Sequence, residues 1–269
     1  MLKISLITPT YNSEKTIARN IHSIISQSYS NFEHIIVDNM SSDATLSIVK
    51  KLYSESGKFD TLKIISEKDN GIADAFNKGI KNSSGDIIAI LNSDDWYYNE
   101  NVLQKVVEAF SNPNVLFVHG DIFFEDFVYG SNRRKPLLCS IEKAMPYNHP
   151  TMFFRKTVYQ GFGTYDVNFR YAMDYELFCR IFKKSPNFAE KGFYLQEFPL
   201  VYMSGSGASG KYEKETLKEV KKALSINSLW NFQAQYFFLL RFFRVQMKIV
   251  FTILHLHSLI KIWRKWKWR

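Results

Sequence analysis

The sequence lacks both of the glycine-rich loops with which α/β enzymes most often hold phosphate groups. No G-x-G-x-x-G pattern follows the first hydrophobic run, and no G-x-x-x-x-G-K-[ST] pattern occurs in the 269 residues. In such enzymes the glycines let the backbone approach the phosphates closely. Their absence argues against a dinucleotide-dependent dehydrogenase or a nucleotidyltransferase on a doubly wound sheet.

Cysteine is also scarce, since the chain has two, Cys139 and Cys179, and no C-x-x-C pair. This argues against a disulfide scaffold or a zinc ribbon and fits a reducing compartment. The opening MLKISLITPTYN has one lysine and a short apolar run that ends at Pro9. That run is too short for a signal peptide, so we expect the chain to stay in the cytoplasm.

Basic residues, in contrast, are in excess. The net charge is +9, and the last nine residues, KIWRKWKWR, hold five basic residues and three tryptophans with no acid. Because these basic residues gather with tryptophan and aliphatic residues, and not across an aromatic-bearing sheet, we do not expect a nucleic-acid partner. The partners that the excess positive charge still allows are anionic lipid and a phosphate-rich substrate.

The C-terminal part, from about residue 229, predicts an amphipathic helix. A polar stripe at helical spacing is formed by Arg241, Arg244, Lys248, Thr252 and His255, and Phe243, Val250, Ile253 and Leu254 lie opposite. Its longest stretch without Lys or Arg is well short of the ~20 residues that a spanning helix needs. The helix either lies on an anionic membrane surface or packs on protein. We expect a catalytic domain at 1–228 and this tail at 229–269.

The first half of the chain alternates between strand-like and helix-like segments. We predict strands at residues 3–7, 33–37, 62–66 and 87–91, and helices at 14–26, 44–53, 72–81 and 102–110. Short connections in this order indicate βαβ units, and therefore an α/β, mostly parallel sheet flanked by helices. Further on we predict one strand over 115–124, a basic loop at 133–135, a helix over 171–183 and a flexible segment at 204–210.

Acidic residues follow three of the predicted strands. In the segment DIIAILNSDDWYYNEN, Asp94 and Asp95 come directly after an apolar run, and Asp38 and Asp69 follow the second and third strands. A single pair is equally typical of a turn. All four acids, however, would meet at the carboxyl edge of one parallel sheet, where such folds bind ligands. Like charges gathered there need a cation or hydrogen-bond donors.

Five segments in order resemble one family. They are ISLITPTYNSEKTIARNIHSIISQSY, IIVDNMSSDAT, EKDNGIADAFNKGI, GDIIAILNSDDWY and NHPTMFFRKTVY…GTYDVNFRYAMDYELFCRI. Together they resemble the inverting, nucleotide-sugar-dependent glycosyltransferases of family 2, which have the GT-A fold, and in particular the bacterial cell-surface polysaccharide type. The resemblance covers residues 1 to about 205.

The resemblance implies a donor site built at the strand ends. Pro9, Thr10 and Tyr11 would wrap the nucleobase, Asp38 would accept a hydrogen bond from a uracil N–H, and Asp69 would sit beside the base. Lys78 either neutralises neighbouring acids or phosphate, or is a lysine on a helix surface. Asp94 would contact the ribose or sugar, and Asp95 would bind a divalent cation, Mn²⁺ or Mg²⁺, that bridges the two phosphates.

The resemblance also implies a general base near the start of a later helix. Asp174 in AMDYELFCRI matches that position, and Glu176 faces another side of the helix. The alternative for Asp174 is a carboxylate that interacts with the helix macrodipole. His149, in NHPTM, either approaches the diphosphate or metal, or is structural.

The sequence therefore predicts a metal-dependent hexosyltransferase of cell-surface polysaccharide biosynthesis. It would use a nucleotide-sugar donor, with UDP as the expected nucleotide, and a lipid-linked or oligosaccharide acceptor. We expect it at the cytoplasmic face of the inner membrane. The alternative is a catalytically inactive GT-A-like module that binds partners at the membrane.

Overall fold

The computed structural model describes residues 1–125, 131–205 and 212–254 of the chain. Within these residues there are eleven strands in two sheets. The strands are Ile4–Thr10 (β1), Phe32–Asp38 (β2), Leu62–Ser66 (β3), Ile87–Ile90 (β4), Trp96–Tyr97 (β5), Phe117–Gly120 (β6), Ile122–Glu125 (β7), Asn132–Arg134 (β8), Phe153–Arg155 (β9), Gly192–Leu195 (β10) and Val201–Ser204 (β11).

Helices flank the main sheet. They are Ile17–Ile25 (α1), Thr45–Glu55 (α2), Ile72–Lys81 (α3), Val102–Ala109 (α4), Lys156–Phe162 (α5), Met173–Lys184 (α6), Glu213–Ile226 (α7) and Phe232–Ile253 (α8). Short 3₁₀ turns lie at Phe59–Thr61, His149–Thr151 and Pro186–Lys191. The first helix begins three residues later than predicted because the preceding residues form a turn closed by Ser13, whose carbonyl accepts from Thr16 N and Ile17 N.

The main sheet has seven strands in the order β10-β6-β9-β4-β1-β2-β3. β1 pairs in parallel with both β2 and β4, and β2 pairs in parallel with β3, which confirms the predicted mostly parallel α/β sheet. β9 is the exception, since it runs antiparallel between β4 and β6. The antiparallel strand brings the residues just before Phe153 to the carboxyl end of β4.

The single strand predicted over 115–124 is wrong, because the chain breaks at Asp121 into β6 and β7. β7 belongs to a second, four-stranded sheet of order β5-β11-β7-β8. The expected basic loop is also wrong, since Arg133 and Arg134 lie in β8 of that sheet. The Nε atom of Arg133 is 2.6 Å from an oxygen of the fully buried Asp121. Arg133 therefore pairs with a buried acid at the break, while Arg134 donates to Asn132 and lies over the ring of Phe124.

The core lies on both faces of the main sheet. In β4, Ile87 and Ala89 pack into one hydrophobic cluster with α4, while Ile88 and Ile90 pack into the other with α3 and α6. Burial on both faces explains why this strand reads as a continuous apolar run. Packing on one face leaves no spare room, because a Cβ on Gly79 of α3 would lie 2.3 Å from a side-chain carbon of Ile7.

Two basic residues of the polar stripe on the C-terminal helix α8 contact the rest of the protein. Arg241 donates to the carbonyl of Lys143, and Lys248 Nζ lies 2.5 Å from an oxygen of Glu213 in α7. The opposite face carries exposed apolar side chains, namely Phe232, Tyr236, Leu239, Leu240, Phe243, Met247, Val250 and Leu254. We call these residues the outer face of α8. The sequence predicted two faces for this helix but not which one is covered.

The beginning of the tail belongs to the main core. Ala234 is buried in it, and Leu229 and Trp230 pack against it. No helix among the described residues is long and apolar enough to cross a bilayer. Most of the segment 204–210, His255 of the polar stripe and the basic terminal residues 261–269 lie outside the described residues.

A buried histidine links β2 to β1 and α2. His34 is fully buried, with Nδ1 2.6 Å from the hydroxyl of Tyr53 and Nε2 2.9 Å from that of Thr8. Burial lowers the pKa of His34 to about 3. An unfolded histidine takes up its proton near pH 6.5. The imidazole of His34 in the folded protein is still neutral at that pH.

We therefore expect His34 to make the fold sensitive to acid. Below a pH of about 6.5 the unfolded chain binds a proton that the folded chain does not, so stability falls as the pH is lowered toward about 3. The contribution is at most about 1.4 kcal/mol per pH unit. Urea denaturation across this range should show a shallower fall for His34→Gln. The same substitution at the exposed His22 should leave the slope unchanged, and a His34→Gln slope equal to that of the wild type would contradict this account.

Candidate functional site

The chain changes direction across the sheet at the carboxyl ends of β1 and β4. From β1 it proceeds to β2 and β3 on one side, and β4 then pairs with the other side of β1. In open α/β sheets such a switch point leaves a crevice for a ligand. The loops after β1 and β4 meet here, because Ser13 Oγ lies 2.9 Å from Ser93 Oγ and Asn20 Nδ2 donates to the carbonyl of Asn92.

Asp38, at the end of β2, is fully buried and holds together the strand ends. One carboxylate oxygen accepts from the hydroxyls of Thr10 and Ser41, and the other from the backbone N–H of Ser41 and the hydroxyl of Ser66. A carboxylate offers about four lone-pair sites, so this one is fully used. Contact between Asp38 and a nucleobase thus requires one of these donors to be exchanged.

The end of β1 places its three predicted residues differently. Pro9 and Thr10 are buried strand residues that pair with Val37 and Asp38 of β2. Tyr11, in contrast, leaves the sheet with 62% of its surface exposed. A ring that stands free at the switch point is available to stack on a planar ligand.

Asp69 lies beyond β3 and turns the chain into α3. Its backbone N–H donates to Asn39 Oδ1 (2.9 Å), and its carboxylate accepts from the N–H of Gly71 (2.9 Å). Burial raises the pKa of Asp69, and the charges of Asp74 and Asp38 add to the rise. Gly71 has φ +113, which only glycine adopts without strain. The turn thus holds a half-buried carboxylate at the same sheet edge as Asp38.

Lys78 neutralises acids of its own segment. Its Nζ lies 3.0 Å from an oxygen of Glu67, 3.7 Å from one of Asp74, and donates to the carbonyl of Lys68 (2.6 Å). Four-fifths of its side chain is covered. Of the two alternatives for Lys78, a lysine that neutralises neighbouring acids agrees with these contacts better than a lysine on a helix surface.

A cavity of about 440 Å³ opens beside Asp69. It is lined by residue 39 and residues 69–72 on one side, and by residues 167–170 on the other. The second group directly precedes α6. The cavity therefore joins the strand-end acids to the segment that leads to Asp174.

Asp94 and Asp95 form a desolvated pair at the end of β4. Asp95 is 2% exposed, and its oxygens accept from Ser204 N (3.0 Å) and Asn92 Nδ2 (3.2 Å). Burial raises the pKa of Asp95, and the neighbouring charge of Asp94 raises it further. Burial raises the pKa of Asp94 as well. Two neutral donors do not offset this cost, so the pair favours a cation.

The oxygen atoms around this pair fit a divalent cation. Asn92 Oδ1 and Asn20 Oδ1 are buried and have no hydrogen-bond partner among the described residues. Hard cations such as Mg²⁺ and Mn²⁺ prefer carboxylate and amide oxygens. The same described residues contain no group of three or more His, Cys, Asp or Glu side chains placed to hold a metal. A cation here would therefore need oxygens from a substrate to complete its coordination.

Asp174 and Glu176 have different surroundings on α6. Glu176 is buried and engaged by Arg180 through two contacts, of 3.1 and 2.7 Å. Asp174 is half-buried, and one of its oxygens accepts from the N–H of Tyr175 (2.8 Å). Glu176 is thus committed to an ion pair within its helix, whereas Asp174 keeps a carboxylate oxygen for another partner.

His149 lies between the sheet edge and α6. It belongs to the 3₁₀ turn that contacts β4 and β11, and its Nε2 is 3.0 Å from the hydroxyl of Tyr165. Its ring stacks on Phe76 with centroids 5.8 Å apart. Burial lowers the pKa of His149, while the charge of Asp174 acts in the opposite direction. Asp174 is therefore close enough to share an electrostatic environment with the residues at the strand ends.

Sequence reasoning did not identify Asn20 and Ser204 as site residues. Asn20 is buried on α1 and donates to the carbonyls of Asn92 and Asp95, each at 2.9 Å. Ser204 begins the segment 204–210 that the sequence predicts to be flexible, and its N–H donates to Asp95. The only sequence signal for Asn20 is a polar residue among isoleucines on the buried face of α1.

Comparisons with known proteins agree on one family. The family model for glycosyl transferase family 2 matches residues 5–182. The chain is 30% identical over 202 residues to the putative glycosyltransferase EpsE of Bacillus subtilis, covering 72% of this chain and 70% of that protein. It is 36% identical over 120 residues to the Escherichia coli protein WfgD, named as a UDP-Glc:alpha-D-GlcNAc-diphosphoundecaprenol beta-1,3-glucosyltransferase. That match covers 44% of this chain and 45% of WfgD.

Solved structures are similar in fold. S. aureus TarS 1-349 in complex with UDP-GlcNAc has a TM-score of 0.66 at 20% identity, over 86% of this chain and 68% of that one. The mannosyltransferase PcManGT of Pyrobaculum calidifontis, in complex with GDP-Man and Mn²⁺, has a TM-score of 0.61 at 17% identity, over 98% and 82%. The likeness to these transferases confirms the GT-A fold.

Proposed function

This chain belongs to glycosyl transferase family 2, and on that premise we propose that it transfers a sugar from a UDP-sugar to a lipid-linked or oligosaccharide acceptor with inversion. The observation that carries the proposal is the pair of desolvated carboxylates, Asp94 and Asp95, at the switch point of the sheet. Like charges buried together are costly, and a diphosphate with its cation relieves that cost.

The reaction is a single displacement. An acceptor hydroxyl oxygen attacks the anomeric carbon from the face opposite the diphosphate, and a new C–O bond forms. The bond from that carbon to the diphosphate oxygen breaks, and its electron pair leaves with the nucleoside diphosphate. Asp174 takes the hydroxyl proton, since Glu176 is occupied by Arg180.

The donor lies along the strand ends. Tyr11 stacks on the base, and Asp38 accepts from the uracil N–H after exchanging one of its four donors. Asp69 borders the base, Lys78 balances the acids near it, and Asp94 meets the ribose or sugar. Asp95 would hold a divalent cation, which would supply positive charge for the leaving diphosphate. His149 positions this edge through its bond to Tyr165.

Support for these finer assignments comes from relatives. WfgD is named for a UDP-Glc donor and a diphosphoundecaprenol-linked acceptor, and the PcManGT structure is a complex with GDP-Man and Mn²⁺. A lipid-linked acceptor lies at a membrane surface. The outer face of α8 and the five basic residues at the C-terminus suit the anionic, cytoplasmic face of a membrane. We therefore propose residues 1–228 as the catalytic domain and 229–269 as a membrane-associating tail.

The first experiment tests the metal and the acids that hold it. Release of UDP from UDP-glucose and UDP-GlcNAc should require Mn²⁺ or Mg²⁺ and should fall by roughly 10³-fold in Asp95→Ala, because the diphosphate then leaves without a bound cation. Asp94→Ala should lose activity too, while both variants keep the wild-type circular dichroism. The exposed Asp60→Ala serves as the matched control. Turnover that persists in EDTA would reject the metal role.

The second experiment concerns the base. Asp174→Asn is nearly isosteric but accepts a proton poorly, so kcat should fall by roughly 10²-fold or more. Binding of UDP, measured by calorimetry with Mn²⁺ present, should be unchanged because the donor-holding acids are intact. Asp60→Asn, at an exposed position outside the site, provides a control for the charge change. Full activity of Asp174→Asn would place the base elsewhere.

The third experiment concerns the tail. Leu239→Glu combined with Phe243→Glu puts two carboxylates on the outer face of α8 without touching the residues that pack on the core. Binding to vesicles of equal parts phosphatidylglycerol and phosphatidylcholine should weaken by roughly tenfold or more, since apolar burial is lost. The exposed Phe59→Glu should bind normally. If the wild-type protein ignores such vesicles at low salt, the outer face covers a protein partner instead.

A further inference from the structure

Glu219 of α7 binds three consecutive backbone N–H groups. One oxygen of its carboxylate accepts from Arg170 N (2.9 Å), and the other accepts from Tyr171 N and Ala172 N (2.8 Å each). Ala172 directly precedes the first residue of α6 and provides no side-chain cap. The first N–H groups of a helix have no partner within it, and a carboxylate there also complements the macrodipole. Glu219 of α7 therefore caps α6 at Ala172 and fixes the two residues before it.

Helix α7 and the residue before it also contact residues 168, 169 and 171. Lys222 Nζ donates to the carbonyl of Asn168 (3.2 Å) and lies 4.5 Å from the ring centroid of Phe169. Tyr212, just before α7, stacks on Tyr171 with centroids 5.0 Å apart. Residues of α7, together with Tyr212 just before it, thus hold the segment formed by residues 168–172. The contacts are charge-assisted hydrogen bonds, a cation–π contact and a ring stack.

The fixed segment has two connections to the site. Its residues 168–170 line the cavity of about 440 Å³ beside Asp69. Two residues after its last member comes Asp174, the proposed base, whose carboxylate is half-buried. A shift of the segment would therefore move one wall of the cavity and the proposed base together. A misplacement of about 1 Å can cost roughly 10²-fold in rate.

We propose that Glu219 is a positioning residue for the transfer reaction. Its carboxylate fixes the backbone of residues 170–172, and this fixes the point from which Asp174 reaches the acceptor hydroxyl. The inference rests on the proposed role of Asp174. Glu219 acts through the backbone that leads into α6, and the acids that hold the donor belong to different loops. Its loss should therefore lower kcat and leave donor affinity intact.

Glu219→Gln tests the contact directly. The amide keeps the length of the side chain but has one acceptor oxygen instead of two, and its NH₂ group faces backbone donors. Hydrogen exchange at the amides of residues 170–172 should accelerate by roughly tenfold or more, because their shared acceptor is weakened. Glu215→Gln, an exposed position on the same helix, should leave exchange unchanged. Unchanged exchange in Glu219→Gln would overturn the inference.

The kinetic test uses Mn²⁺-dependent release of UDP from UDP-glucose and UDP-GlcNAc. In Glu219→Gln, kcat should fall by about 10- to 100-fold with KM for the donor nearly constant. Glu219→Asp keeps the charge but is one methylene shorter, and it replaces the Gln variant if that protein does not fold. Faster exchange with unchanged kcat overturns the inference, as does a kcat loss matched by a loss of UDP affinity.

A double variant separates this inference from the proposed base. If Glu219 acts through Asp174, then Asp174→Asn with Glu219→Gln should be no slower than Asp174→Asn alone. Additive losses would mean that Glu219 acts by another route and would overturn the inference. Full activity of Asp174→Asn would instead reject the proposed base, and the inference with it, whereas the exchange result would still report whether the cap exists.

Discussion

The burial of carboxylates at the end of a central strand is the constraint on which this structure depends. β4 is covered on both faces, and the loop that follows it carries Asp94 and Asp95, whose pKa values are raised by burial. A protein selected for stability alone would place apolar residues there, because desolvating a charge costs more than neutral donors return. The Asp95 carboxylate accepts hydrogen bonds from the N–H of Ser204 in β11 and from the side-chain amide of Asn92, while Asn20 of α1 donates to the backbone carbonyl of Asp95.

The same constraint accounts for the topology near the site. β4 pairs with β1 on one side and with the antiparallel β9 on the other, so the strand end is walled by two loops and a 3₁₀ turn. The second sheet encloses the strand end further, since Ser204, the last residue of β11, donates its N–H to the carboxylate of Asp95. These walls lower the local dielectric around the acid pair. A low dielectric makes the unpaired charges of Asp94 and Asp95 costly, and it also strengthens their attraction for a cation.

Sequence reasoning recovered those parts of the fold that depend on local pattern. β3 and α3 were predicted at their observed bounds, because a covered strand and an amphipathic helix each have their own periodicity. Strand order was not predicted, since pairing depends on contacts far apart in the chain. β9 was missed because three residues are too short for a period. The break at Asp121 was missed because the apolar pattern continues through it.

The site residues likewise fall into those that local sequence predicts and those that depend on tertiary contacts. Acids that directly follow strands could be placed at one edge from sequence, whereas Asn20, Ser204 and Glu219 act from elements distant in the chain. A fully engaged Asp38 could not be foreseen either, because its four donors come from three different segments. Periodicity identifies a side chain's face, but tertiary packing decides what that face meets.

The tail illustrates this limit and joins the two ends of the molecule. Two basic residues of its polar stripe contact the rest of the protein, with Lys248 on Glu213 of α7, and its outer face remains apolar. An uncovered apolar helix face of this extent is costly in water, so it calls for a lipid or protein surface. The helix on which Lys248 rests is also the one that caps α6 through Glu219. One helix therefore contacts both the tail, whose uncovered apolar face we propose to bind a membrane, and the segment that precedes the proposed base Asp174.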